Sequence, residues 1–163
     1  MIIDSNYIRE IRDISINVDD VKRIDPYIEE AEKEWVIPSI GAKLYKDLLS
    51  KIEGENNTTL LEGGYYNNDT AYLSGLKKAL SYLAYSRYVR NSNVFLTSSG
   101  ARTKGTLEFS DSVDDRAVVR VANEAEKRGI KLLDECVVYL NYVGSQASRP
   151  KIKKNNKFII IGN

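Results

Sequence analysis

The chain has 163 residues, 42% of them hydrophobic and 29% charged, which suits one globular domain and is too apolar for general disorder. A formal net charge of +1 excludes a whole-molecule attraction to nucleic acid, so any electrostatic effect has to be local. Histidine is absent and Cys136 is the single cysteine, which removes the commonest base at neutral pH, the commonest metal ligand and any internal disulfide.

The start, Met1-Ile2-Ile3-Asp4-Ser5-Asn6, lacks a basic leader with a long apolar run, and no stretch approaches the roughly 20 apolar residues of a membrane span. The expectation is a cytosolic protein without membrane attachment. Ile24, Ile28, Ala31 and Trp35 recur at helical spacing and predict a helix from about Asp20 or Asp25 to Val36. Pro38 is expected to stop it, with Ser39 capping a second helix that carries Ile40, Leu44, Leu48 and Ile52 on one face.

Residues 53–69 are rich in Gly and Asn, show no helical period and read as a surface loop. Leu73, Leu76, Ala79, Leu80, Leu83 and Ala84 then repeat at steps of three and four, predicting a helix from about Thr70 to Asn91. Val94–Thr97 and Thr106–Phe109 are short β-prone runs, so residues 93–115 fit a β-hairpin or a long ordered loop. The last helix is expected over about Val113–Tyr142, with Val118, Ala122, Ala125, Gly129, Leu133, Cys136, Leu140 and Val143 in a near-heptad stripe whose small members permit close helix contact.

The expected fold is therefore mainly α: a bundle of about four helices over residues 1–144, with an extended tail over 145–163. That tail carries Arg149, Lys151, Lys153, Lys154 and Lys157 with no acidic residue and ends in the apolar run Phe158-Ile159-Ile160-Ile161. Such a run is aggregation-prone when left in water, so it calls for a partner surface.

No catalytic, cofactor or metal site emerges from the residues. Glu29, Glu30, Glu32 and Glu34, with Asp25, fall largely opposite the apolar stripe and read as a solvated helix face. Cys136 lies in an apolar stripe with no histidine to activate it and reads as core. The glycines at 63, 64, 100 and 105 match no phosphate-binding pattern. Tyr65, Tyr66, Tyr72, Tyr82, Tyr85 and Tyr88 suit either an interface or the edge of the core.

Two surfaces of opposite sign remain, the acidic helix and the basic tail. Paired between neighbouring copies, they would make a head-to-tail contact that closes into a ring if the rotation allows. The basic tail and the tip carrying Arg102 and Lys104 also suit phosphate contact, which keeps a nucleic-acid-binding accessory protein as an alternative. An enzyme using carboxylates such as Glu29 or Glu108 is a third reading.

Three stretches resemble the small helical head-to-tail connector proteins of tailed bacteriophages. They are Tyr27–Glu32 running through Ile37-Pro38-Ser39-Ile40-Gly41 to Leu44-Tyr45-Lys46-Asp47-Leu48-Leu49, then Leu76–Tyr88, and last Asp115–Tyr142. The first is similar to that family's opening helix, its "proline, any, leucine or isoleucine, glycine" corner and its "leucine-tyrosine" helix. The likeness is strongest to connector-like proteins of phages and prophages of Bacteroides-type gut bacteria, including ring proteins of crAss-like phages, and spans most of residues 20–143.

This resemblance implies a virion structural protein that assembles in the host cytoplasm into a ring, commonly of about twelve copies, between portal and tail. It implies self-association, portal and neighbouring ring proteins as partners, passing DNA without sequence specificity, and no catalysis. Arg102 and Lys104 would then face the channel or the next ring.

Overall fold

The computed structural model describes residues 1–12, 14, 19–50, 54–91, 94–97, 100–103 and 115–146. Its centre is one helix, α7 (Leu76–Asn91), none of whose residues before Arg90 is exposed. Leu76, Ala79, Leu80, Tyr82, Leu83 and Ala84 are buried, and so are Ser81 and Ser86. Buried hydroxyls need acceptors, and these two donate back to the carbonyls of Lys78 and Leu83 at 2.8 and 2.7 Å.

The longest partner is α8 (Asp115–Gln146), which runs along α7 and buries Ala122, Ala125, Gly129, Leu133, Cys136 and Val143, much as its periodicity predicts. Gly129 marks the closest approach. A Cβ there would lie 2.7 Å from Cγ and 3.1 Å from the backbone nitrogen of Leu83, so only a residue without a side chain lets the two backbones pack this tightly.

The N-terminal residues lie against the other side of α7. α1 (Ser5–Ile11) is capped by Asp4, whose Oδ1 accepts from the Tyr7 amide at 2.9 Å, and it buries Ile8. α2 (Asp20–Arg23) leads into α3 (Asp25–Ala31), where Pro26 stands at the helix start and Ile28 and Ala31 are buried.

The predicted stop at Pro38 is wrong. A π turn over Glu32–Val36 carries the helix into α4 (Ile37–Ile40), and the break falls at Gly41, whose φ of +88° suits glycine alone. The π turn places Ile37 N–H on the Glu32 carbonyl, loosening the helix just where Pro38 would otherwise disturb an α-helical interior. It also advances the apolar stripe by one residue, so Val36 and Ile40 are buried while Trp35 is half-buried. Ser39 therefore lies inside a helix rather than capping one, and Gly41 precedes α5 (Ala42–Leu49).

The surface loop expected over 53–69 is instead a helix and a strand. α6 (Glu55–Glu62) buries Leu60, and β1 (Gly64–Tyr66) pairs antiparallel with β2 (Ala71–Leu73) in the register Tyr65 to Tyr72. The helix expected from Thr70 accordingly begins later, at Leu76. Asn- and Gly-rich composition disguises these elements because Leu60 is the one fully buried side chain of α6, with Leu61 half-buried beside it, and because Gly63 and Gly75 serve close packing rather than looseness. A Cβ on Gly63 would meet the Leu73 carbonyl at 2.5 Å, and one on Gly75 would meet Glu62 at 2.6 Å.

After α7, β3 (Val94–Thr97) and β4 (Gly100–Thr103) form an antiparallel hairpin, so the hairpin reading of this region holds with an earlier second strand. Thr106–Phe109 and the tail beyond Gln146 lie outside the described residues. Among the described residues, no helix is long and apolar enough to cross a membrane.

Gly129→Ala should cost about 1–3 kcal/mol of unfolding free energy through overpacking, although alanine is the better helix former. Urea denaturation of Gly129→Ala, Leu83→Ala and the double variant checks this. The double variant should lose less than the sum of the singles, because the smaller side chain at 83 makes room for the new methyl.

Candidate interaction surfaces

The acidic side chains of α3 and the π turn are largely engaged within the chain. Glu29 pairs with Lys33 at 3.2 Å, one turn away. Glu30 and Glu34 both pair with Arg87 of α7, Glu30 at 3.1 Å, and the Arg87 guanidinium stacks 4.6 Å above the Trp35 ring. These three carboxylates remain about half-exposed, as expected of a polar helix face.

Glu32 departs from that expectation. It is 3% exposed, and it accepts from the Ile2 amide at 2.5 Å and the Tyr45 hydroxyl at 2.7 Å. The reason is its place at the start of the π turn, where it faces the N-terminal segment and α5 instead of water. Burial, and then the bond to Glu32, push the Tyr45 hydroxyl well above the ordinary tyrosine range, so it stays a donor. Glu32 thus ties three segments together and leaves the set of residues open to a partner.

A second tie fixes α1 to α2. Arg9 pairs with Asp20, and that hydrogen bond holds the Asp20 carboxyl below its usual range. Nearby, Asp25 is raised, chiefly by burial and then by the surrounding carboxylates Asp20, Asp4, Glu29 and Asp19.

Four of the six tyrosines singled out in the sequence cover the core. Tyr82 is buried beneath the guanidinium groups of Arg12 and Arg128, 4.0 and 5.1 Å from its ring centre. Tyr85 and Tyr88 are half-buried, and Tyr66 packs edge-on against Tyr139 at 5.1 Å and beside Tyr142 at 5.4 Å. The other two face water: Tyr65 and Tyr72 are 67% and 59% exposed, stacked edge to face across the β1–β2 ribbon at 5.1 Å. Asn67, Asn68 and Asp69 at the tip all adopt positive φ, a conformation that Asn and Asp tolerate best among residues with side chains.

Two apolar side chains are also exposed near the start of the long helix. Arg90, near the end of α7, reaches Asn123 at 2.8 Å and Glu126 at 2.7 Å, so α8 residues before Asn123 run beyond α7. There Val119 and Val121 are 48% and 39% exposed and Val118 is half-buried. The sequence reading placed Val118 in the core stripe, where the structure leaves it half-buried.

Of the remaining predicted site residues, Arg102 lies on β4 opposite Phe95. Lys104, Glu108, Arg149, Lys151, Lys153, Lys154, Lys157 and Phe158–Ile161 lie outside the described residues. Among the described residues, no group of three or more acidic or cysteine side chains is placed to hold a metal ion.

The chain belongs to the DUF6712 family. The family model, described as a family of unknown function, matches residues 36–157, about three quarters of the chain. Comparison with curated proteins and with solved structures finds no match. The span matched by DUF6712 starts inside the π turn and takes in α4 to α8, both hairpins and the basic part of the tail, whereas α1 to α3 with Glu29, Glu30, Glu32 and Glu34 precede it.

Glu32→Ala should destabilise the fold by about 1–3 kcal/mol, because it removes the acceptor of a part-buried amide and hydroxyl and leaves a gap at a buried position. Glu29→Ala should change it by less than about 1 kcal/mol. Equal effects in chemical denaturation would refute the distinction. Cys136 is fully buried, and burial, reinforced by Glu135, pushes its thiol up to about 12. It should therefore resist a thiol reagent at pH 8 in the folded protein and react at once in denaturant.

Proposed function

We propose that this DUF6712 protein is a structural subunit of a tailed-phage virion, forming a ring between portal and tail and acting by assembly without catalysis. The observation that carries the reading is the pair of exposed rings on the β1–β2 ribbon, Tyr65 and Tyr72, stacked edge to face, with Val119 and Val121 exposed singly on α8. β-branched residues are poor helix formers, and placing them in water on a helix brings no packing in return. An assembly that covers such surfaces gives them a purpose, whereas a lone monomer does not. The resemblance of residues 20–143 to head-to-tail connectors supplies the setting, which is a subunit made in the host cytoplasm and carried into the virion.

In this reading Arg149 to Ile161 reach a neighbouring subunit or the portal, the lysines orienting the approach and Phe158 to Ile161 anchoring it. Glu29, Glu30 and Glu34 remain available to that approach only by exchanging their internal partners, which costs the Arg87 and Lys33 pairs. Arg102 and Lys104 face the DNA channel or the next ring.

Mass measurement across protein concentrations, alone and with a portal protein from the same genome, tests the proposal. Rings or portal complexes are expected, and deletion of residues 149–163 should abolish them while leaving the helical circular dichroism intact. A chain that stays monomeric under both conditions sinks the proposal, and steep salt-dependent DNA binding by that monomer would favour the nucleic-acid alternative.

A further inference from the structure

We propose that the outer face of α8, together with Arg12 beside it, is a contact surface for the phosphate backbone of duplex nucleic acid. The inference does not depend on the ring reading, and it uses neither the basic tail nor the tip carrying Arg102 and Lys104. Its starting point is two like charges held together without a counter-charge. Arg12 follows α1 and Arg128 lies on α8, yet both guanidinium groups sit against the Tyr82 ring of α7, 4.0 and 5.1 Å from its centre. They are therefore at most about 9 Å apart, a distance at which they repel.

Arg12 is half-buried, and its Nε is buried with no hydrogen-bond acceptor. Arg9 and Arg87 also bury an Nε without an acceptor, but Arg9 pairs with Asp20 and Arg87 with Glu30 and Glu34. Among the described residues, Arg12 and Arg128 have no carboxylate partner. The tyrosine ring offsets part of their charge. A bound anion offsets the rest and accepts from their remaining N–H groups.

Arg128 continues into a row. Arg120, Lys127 and Lys131 are exposed and, at about 100° per residue, fall within about 40° of one another around α8, with Arg128 about 80° from Arg120 on the side of Tyr82. None of the three has an ion-pair partner among the described residues. Glu124 is the carboxylate set among them, and Asp134 and Glu135 follow the row, so cations dominate this stretch of the face.

Length and composition select the occupant. At 1.5 Å per residue the row from Arg120 to Lys131 extends about 16 Å, more than a single phosphate spans, so a polymer of phosphates fits it. A protein partner would find no apolar anchor there, because Val119 and Val121 stand singly among charged residues. Unstacked bases would find no ring to stack on, since Tyr82 is buried beneath the guanidinium groups. The outside of a duplex asks only for cations along its phosphates.

Binding of the full chain to a short random-sequence DNA duplex, read by fluorescence anisotropy over a range of salt, tests the contact. Affinity should fall as salt rises, with a logarithmic slope of about 0.9 for each phosphate engaged. Arg12→Gln with Arg128→Gln should weaken binding about tenfold at low salt and lower the slope by about two. Arg120→Gln with Lys127→Gln and Lys131→Gln should weaken it about thirtyfold and lower the slope by about three. Lys43→Gln with Lys46→Gln, exposed on α5, removes charge elsewhere and should change affinity less than about twofold. Circular dichroism and urea midpoints verify that every variant folds.

No duplex binding at low salt overturns the proposal, and so does binding that both sets on this face leave unchanged, which moves the contact to the basic tail. An equal loss in the α5 variant overturns it as a general effect of charge. Inorganic phosphate that shields Arg12 and Arg128 from an arginine-selective dicarbonyl reagent, where duplex does not, reduces the pair to a small-anion site and overturns it as well. Mass measurement on the same variants keeps the ring reading apart. A chain that stays monomeric yet loses duplex affinity in the expected pattern upholds this contact alone, whereas one that assembles through these residues and binds no duplex overturns it.

Discussion

The close crossing of α7 and α8 at Leu83 and Gly129 is the constraint on which the remaining geometry depends. With backbone nearly touching backbone, the two helices act as one body, and every other element is placed by how it meets that body. α1 and α3 cover one side of α7, and α6 and the β1–β2 ribbon cover the turns near the end of α8. A looser crossing would shift both sets of contacts together, because packed interiors transmit displacement.

Around this pair the polar interactions divide by burial. Arg87 gathers Glu30, Glu34 and Trp35 at the surface, where solvent screening leaves each pair worth little. Glu32, by contrast, is itself buried and satisfies a part-buried backbone amide and tyrosine hydroxyl, which lose that partner without it. The same short acidic run therefore holds a residue that secures the N-terminal segment and others that decorate a helix face.

The surfaces that remain open follow from unequal helix lengths. α8 has 32 residues and α7 has 16, and in the first turns of α8 Val119 and Val121 are exposed beside Arg116 and Arg120. At the far end the ribbon carries Tyr66 inward and Tyr65 and Tyr72 outward, as the alternation of a strand requires.

The mainly helical class, the body and end of α7, the buried stripe of α8 with Cys136 within it and the first strand after α7 were readable from the sequence, because each rests on local periodicity or β-propensity, whereas the start of α7 and the second strand at Gly100–Thr103 were not. The helix at 55–62, the break at Gly41 instead of Pro38 and the burial of Glu32 were not. α6 is held by one buried leucine and by glycines that permit close backbone contact, a purpose composition does not distinguish from a loop. The π turn shifts the helical phase by one residue, which no fixed 3.6-residue period can register. Of the candidate surfaces, the sequence by itself identified the tyrosines, the acidic run and the basic tail as unlike patches. Only the tertiary structure decided that Tyr65 and Tyr72 face water while Tyr66 and Tyr82 do not, and that Val119 and Val121 stand uncovered, because exposure depends on where the neighbouring helix ends.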